Sequence, residues 1–399
     1  MIIGIDASRA NKDNKTGTEW YAFNVIQQLK NLINKEDQVI LYSKDKLRGE
    51  LADLPHNFSN RVLSWPPKFL WTQIRLSLEV ILHKPDVLFI PAHTIPFFSP
   101  RKTITTLHDV GFENFKHLYS QKPIGPDNKL MRFAYGLIFQ ILTLGKYKNN
   151  ELDYHRWSAR LAVKKAAKII TISQFSIDEI TKYFNVDKDK IYNVHNAYNI
   201  NYKIIKNQLL IDKVLKKYNI FGKYIFYIGR LEEKKNTPNL VEAFSLFRKK
   251  TKLDFTLVLA GPPGYGYKKI KEIISQNNLE NYVNELGWIP NEDLPYLMNG
   301  ATVFVFPSAY EGFGIPILEA MACGTPVITS NFGAMKEVAG DAALLVDSNN
   351  PEAITEGMEK LINDNQLASK YIQNGLKRIK AFSWESTGKY INNLIYSLK

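Results

Sequence analysis

ATVFVFPSAYEGFGIPILEAMACGTPVITS, residues 301–330, is the stretch from which the rest of the chain can be read. Ala301–Phe306 is a β-branched and aromatic run, and the Pro-Ser-Ala-Tyr loop breaks it. Glu311-Gly312-Phe313-Gly314 then precedes a helical run, Ile315–Cys323, with Pro316 suited to its first turn and Gly324 to its C-terminal cap. Pro326–Ser330 reads as the next strand, so the segment is a strand, a loop, a helix and a strand, the unit from which parallel sheets are built. Backbone N–H groups of Gly312, Phe313 and Gly314, with Ile315 at the helix start, are expected to point outward, where the helix dipole favours a phosphate or an electron-rich hydroxyl oxygen. Glycine there allows close approach of a ligand. Glu311 and Glu319 stand eight positions apart, one on the loop and one about a turn into the helix, and are expected to face one cavity. Taken alone they equally describe two surface glutamates near a helix start.

The same plan extends in both directions. Strand-like runs at Tyr224–Ile228, Phe255–Ala260 and Val303–Phe306 alternate with helical patterns at Pro238–Lys249 and Pro351–Asn363. Earlier, Ile2–Ile5, Val39–Tyr42, Val87–Ile90, Thr103–Leu107 and Ile169–Ile172 alternate with stretches such as Glu19–Leu32. Two doubly wound α/β units of Rossmann type follow. Asn199–Gly222 is polar, lysine-rich and weakly periodic and reads as the linker. The expected division is 1–201, 202–382 and a C-terminal helix over 383–399 that packs back on the first domain.

At 399 residues, with 45% hydrophobic and 23% charged residues, the chain suits two domains, each with its own core. Cys323 is the only cysteine, which excludes an intrachain disulfide and a cysteine-rich metal site and fits a reducing compartment. MIIGIDASR reads as a strand ending in Asp6 rather than an export signal, and no run of 18 apolar residues is present, so a cytoplasmic or peripheral protein is expected. The formal charge of +13 points to anionic partners. Lys116 to Lys168 holds 11 basic and 3 acidic residues, the densest part of that excess.

The second informative cluster is Tyr224–Asn236, a strand running through Gly229 and Arg230 into a turn with Lys234 and Lys235. Fixed cations after a strand can stabilise charge developing on a departing phosphate without a metal, and Arg230 and Lys235 suit that role. A solvated basic turn is the plainer reading of the same residues.

GRLEEKKN, LGWIPNEDLPYLMNGATVFVFPS, EGFGIPILEAMACGTPVI and EVAGDAALLVD occur in that order. Together they resemble the C-terminal domain of the GT-B fold glycosyltransferases of family four, the retaining group, over Tyr224 to Trp384. The resemblance implies that Gly229, Arg230 and Lys235 hold the donor diphosphate and that Glu319 binds its ribose. It also implies that Glu311 with Gly312, Phe313 and Gly314 addresses the sugar. The donor would be a nucleotide sugar acting as co-substrate, with no cofactor and no metal. Where many members have glycine after the motif lysine, this chain has Asn236, a pattern similar to the mannosyl- and rhamnosyl-type transferases of surface polysaccharides, hence a mannose-type donor on GDP.

In the first half, Thr16-Gly17-Thr18-Glu19 stands immediately before a helical run. Its amides are expected to meet donor phosphates, though as a lone feature it is an N-cap. Thr103–Leu107 delivers His108 and Asp109 to a strand end, where open α/β sheets place ligand residues, and the resemblance implies that this pair lines the catalytic cleft between two facing domains. His93 is a weaker candidate of that kind. An insertion at about 121–155 includes the apolar run Met131–Leu144 followed by Lys146 and Lys148. Fourteen residues cannot span a bilayer, but such a helix can lie in the interface of an anionic membrane or be buried as a core helix. The implied reaction transfers a hexose to a glycan or lipid-linked glycan. A glycosyl phosphorylase or sugar-nucleotide epimerase on the same fold is the alternative. A nucleic-acid partner is not expected, since neither a helix-turn-helix nor an aromatic single-strand platform is visible.

Overall fold

The structure is a computed structural model that describes residues 1–13, 15–64, 70–118, 123, 125 and 128–399. It divides into two compact units, residues 1–196 with 384–399, and residues 197–383. The first contains β1 (Ile2–Asp6), α1 (Gly17–Leu32), β2 (Gln38–Ser43), β3 (Phe58–Val62), α2 (Leu76–Leu82), β4 (Val87–Ile90) and β5 (Thr103–Thr106). It continues with α3 (Gly111–Asn114), α4 (Lys129–Leu142), α5 (Glu151–Lys165), β6 (Lys168–Thr171), α6 (Gln174–Phe184) and β7 (Ile191–Asn193). The second contains α7 (Gln208–Lys217), β8 (Lys223–Ile228), α8 (Thr237–Thr251), β9 (Phe255–Ala260), α9 (Tyr267–Gln276), β10 (Val283–Gly287), α10 (Leu294–Gly300) and β11 (Val303–Phe306). After these come α11 (Ile315–Ala322), β12 (Val327–Ser330), α12 (Gly333–Ala339), β13 (Leu344–Val346), α13 (Pro351–Asn363) and α14 (Asn365–Arg378). The chain ends in α15 (Trp384–Tyr396), which belongs to the first unit.

Both sheets pair in parallel, in the orders β3-β2-β1-β4-β5-β6-β7 and β10-β9-β8-β11-β12-β13. Their central strands are apolar on both faces because helices cover both: β4 and β11 are buried at every residue. The strands that sequence periodicity does not reveal, β3, β7, β10 and β13, are the four edges. Phe-Ser-Asn-Arg-Val and Val-Asn-Glu-Leu-Gly each have one neighbour and a solvated side, so they lack a continuous apolar run.

The expected linker is corrected by the structure. Residues 197–222 belong to the second unit and contain α7, whose Ile211 and Leu215 lie beside Gly300 of α10. Lys217 Nζ and Tyr218 Oη reach Asp293 at 2.6 and 2.5 Å. The run looked aperiodic because Ile211 is the one buried residue of α7. In the first unit, α15 buries Ile391, Leu394 and Ile395, and Tyr396 Oη donates to Asp37 at 2.7 Å.

Part of the expected insertion, residues 121, 122, 124, 126 and 127, lies outside the described residues. The rest forms α4 and α5. Tyr135 and Phe139 of α4 are buried, and Phe139 packs edge-on against Trp157 of α5 at 5.3 Å between ring centres. Leu130, Met131, Phe133, Leu137, Ile138 and Ile141 are exposed. The core-helix reading therefore holds for one face of α4 and fails for the other. No helix among the described residues is long and apolar enough to cross a membrane.

Candidate functional site

In an open parallel sheet, loops diverge at the carboxyl ends of the two strands where the order reverses, leaving a crevice for ligand. In the second unit these strands are β8 and β11. The loop after β8 carries Gly229, Arg230 and Lys235, and the loop after β11 carries Ser308 and Glu311. An ion pair between Lys235 Nζ and Glu311 Oε1 joins the two loops. Ser308 Oγ also donates to Glu311 Oε1 at 2.9 Å, and the Ala309 N–H reaches the Lys234 carbonyl at 3.2 Å. Arg230 is exposed beside this pair in sequence. Tyr227, buried beneath, donates to the Arg230 carbonyl at 3.0 Å, so the loop is held from within the core.

Asn236 follows Lys235 with φ +57, and its side chain donates to the Ser348 carbonyl. Asparagine tolerates the left-handed region and adds a tether that glycine lacks, which accounts physically for its presence at this position. Gly314 has φ +101 at the start of α11, where a side chain would be strained and would meet Ile317 at 3.1 Å. Phe313 is a buried anchor whose ring meets Phe382 edge-on at 5.7 Å.

Glu311 and Glu319 do not share a partner among the described residues. Glu319 lies on α11 and accepts a hydrogen bond from Tyr202, a residue of the segment read as a linker. Burial pushes the Glu319 carboxyl up to about 8, with the Tyr202 bond opposing the shift. It is therefore mostly protonated at neutral pH in the free protein.

Sequence reasoning missed the Gly261–Gly266 loop after β9. Its Gly261 approaches the Gly229 carbonyl so closely that a Cβ would lie 2.0 Å from the oxygen, and the Leu231 N–H donates to the Pro262 carbonyl at 3.0 Å. The paired glycines and prolines of GPPGYG were the available signal. Tyr202 left none, because only the fold brings it to α11.

In the first unit the reversal lies between β1 and β4. Thr16 and Glu19 form a capping box at the start of α1, and Glu19 also holds Lys12 at 3.0 Å and Arg9 at 3.5 Å. Burial raises the Glu19 pKa, but these hydrogen bonds and cations outweigh it and bring it to about 2. The plainer reading of Thr16-Gly17-Thr18-Glu19 thus accounts for Thr16 and Glu19. Beyond its own turn of helix, Gly17 has no atom of the described residues within 4 Å of where a Cβ would stand, and Thr18 is half-buried beside it.

His108 packs edge-on to Tyr21 at 4.7 Å and donates to the Pro91 carbonyl, while its Nε2 is buried with no partner among the described residues. Burial is the main cause that brings its pKa down to about 4, so Nε2 is an available acceptor at neutral pH. One oxygen of Asp109 takes the Gly111 N–H at 2.9 Å, a local turn that caps α3. His93 Nε2 lies 3.1 Å from Nδ1 of His155 on α5, and burial holds the His93 pKa well below the usual histidine range. His155 and Arg9, whose charge acts on both His93 and His108, were not singled out from the sequence.

A model of Glycosyltransferase Family 4 matches residues 16–202, and one of Glycosyl transferases group 1 matches residues 212–378. O-antigen chain mannosyltransferase B of Escherichia coli is 36% identical over 248 residues, 62% of this chain and 65% of that protein. Serotype-specific mannosyltransferase WbdA of Escherichia coli is 28% identical over 56% of this chain and 28% of its own length. The matches thus span less than two thirds of these relatives. Among solved structures, WaaG, a glycosyltransferase involved in lipopolysaccharide biosynthesis, superposes with a TM-score of 0.71 over 99% of both chains at 14% identity. Anabaena HepE in complex with UDP and glucose gives 0.71 over 99% of both chains at 18% identity. The two matched segments, the two parallel sheets and the motifs of the second unit agree, and the chain belongs to the GT-B glycosyltransferases of group 1.

Proposed function

We propose that the chain is a retaining glycosyltransferase that moves a mannose-type hexose from a GDP-sugar to a glycan or lipid-linked glycan acceptor in surface polysaccharide synthesis. The observation that carries this reading is the Lys235–Glu311 pair between the loops after β8 and β11. It sets a cation for a departing diphosphate beside a carboxylate for sugar hydroxyls. The names of the two Escherichia coli mannosyltransferases support the sugar and the product class.

Arg230 supplies a second cation, Glu319 takes the ribose hydroxyls, and the loop from Gly312 to Ile315 receives the sugar. As the glycosidic bond breaks, Lys235 and Arg230 hold the negative charge of the leaving diphosphate, whose oxygen accepts the proton of the attacking hydroxyl. No metal is required for that stabilisation. In the first unit, His108 offers Nε2 to a hydroxyl, and Gly17 and Thr18 offer an open helix start to an anion.

The exposed apolar face of α4, with Lys129, Lys146 and Lys148 near its ends, suits the interface of an anionic membrane. A peripheral location on the inner face of the cell membrane follows from this reading.

The test is incubation with GDP-mannose and a short mannan or lipid-linked glycan, in the presence of EDTA. Acceptor-dependent release of GDP and an α-linked product by proton NMR are expected. A β-linked product would overturn retention, and turnover only with inorganic phosphate as acceptor would turn the assignment to a phosphorylase.

A further inference from the structure

A groove of about 560 Å³ runs between α4 and the turn that leads into α5. Its lining includes Lys129, Arg132 and Lys148, together with Phe133, Gly136 and Leu137. Gly136 permits this shape, because Asn149 lies 3.3 Å from where a Cβ would stand and a larger residue would press on that turn. Asp153, in the first turn of α5, is already engaged. It accepts the Lys148 N–H at 3.0 Å and lies 3.7 Å from Arg156. Lys129 and Lys148 are exposed, as are Phe133 and Leu137. The groove therefore combines a positive lining with apolar walls that continue into the exposed face of α4, where Leu130, Ile138 and Ile141 stand.

That combination matches the two halves of one kind of molecule. A phosphate needs fixed cations, and a hydrocarbon chain needs an uncharged surface that water leaves readily. We infer that the groove seats the phosphate headgroup of an anionic membrane lipid, with Lys129, Arg132 and Lys148 around the phosphate and the lipid chain along Phe133, Leu137 and Ile141. This deepens, and rests on, the membrane-facing reading of α4 proposed above. It adds a defined seat to what a general basic field would supply, since a field depends on how many cations are nearby and a seat on which ones they are.

The experiment compares two charge-matched triple variants of the full chain. K129Q/R132Q/K148Q removes the groove cations, and K116Q/R160Q/K164Q removes three from the same basic segment outside it and away from the ends of α4. Binding is read by flotation with vesicles of phosphatidylcholine containing phosphatidic acid, and circular dichroism melting checks the fold. The wild type and the second variant should bind within a few-fold of each other. The groove variant should bind roughly a hundredfold more weakly, the scale of three cations close to an anionic surface. The double variant K129Q/K148Q, whose two lysines are exposed, should show an intermediate loss if Arg132 also supports the fold. Affinity for GDP-mannose should be unchanged in all of them. Equal losses in the two triple variants, or no loss in the groove variant, would overturn the seat while leaving membrane docking intact. Absence of vesicle binding by the wild type would overturn both.

Discussion

The proposed contact of Glu319 with the donor ribose would make donor binding a proton-coupled event whose size can be worked from the structure. Its carboxyl is raised to about 8 by burial, and its one described partner is the Tyr202 hydroxyl. Ribose hydroxyls are best received by an ionised carboxylate, which accepts at both oxygens. The free protein must therefore lose a proton before the donor can use this contact. With a free-state pKa near 8, the competent fraction is about 1% at pH 6 and one half at pH 8, so affinity should rise about fiftyfold across that range and about twofold above it. GDP-mannose is the appropriate probe, because its phosphodiester groups do not titrate in this range whereas free GDP does. Isothermal titration calorimetry in buffers of different ionisation enthalpy should also detect release of a proton on binding. Glu319→Gln should bind about 1 to 3 kcal/mol more weakly at pH 8 and be flat with pH. Tyr202→Phe should move the rise to higher pH, since it removes the one hydrogen bond that opposes the shift. A GDP-mannose dissociation constant that stays level from pH 6 to pH 8, with no proton released, would refute the reasoning.

Replacing Lys235 or Arg230 by Ala should lower turnover by about a hundredfold or more with the fold intact, on the scale of one preorganised charge-stabilising group, and near-normal turnover in both would remove them from the site. Glu19→Gln should cost about 1 to 2 kcal/mol of stability near neutral pH. The Glu19 pKa is depressed to about 2, so its contribution is present above pH 4.5 and lost as pH falls toward 2, and denaturant melts of the two proteins should converge there. On α4, Leu137→Asp/Ile138→Asp/Ile141→Asp should remain folded and lose vesicle binding, whereas Phe139→Asp should unfold the region around Trp157, which limited proteolysis would detect.

The central strands were legible because burial on both faces forces unbroken apolar runs, as in Val87–Ile90 and Val303–Phe306. The four edge strands were not, since one neighbour suffices to pair them and their solvent side admits Ser59, Asn60 and Glu285. Edge strands are fixed by the register of the strand beside them: β3 follows β2 from Val39–Phe58 to Ser43–Val62, a relation between distant residues that no local window contains. The segment 199–222 misled for a related reason. Helix α7 buries only Ile211, and its attachment lies in polar contacts with Asp293 that hydrophobic periodicity does not record.

The site divides along the same line between what is local and what the fold assembles. Arg230, Lys235 and Glu311 could be singled out as candidates because each stands in a short motif at a strand end, and the fold adds the pairing of Lys235 with Glu311 across a separation of 76 residues. Gly17 and Thr18 were candidates on the same grounds, yet Thr16 and Glu19 beside them are occupied with capping each other. A motif at a helix start cannot distinguish a ligand group from a cap, because both use the same orphan N–H groups. His155 reaches His93 only through α5, and Tyr202 reaches Glu319 only because residues 197–222 fold into the second unit. These contacts tune a neighbour's protonation or position. Such tuning depends on burial, a property of the completed packing, so a side chain that acts through another leaves no pattern of its own in the sequence.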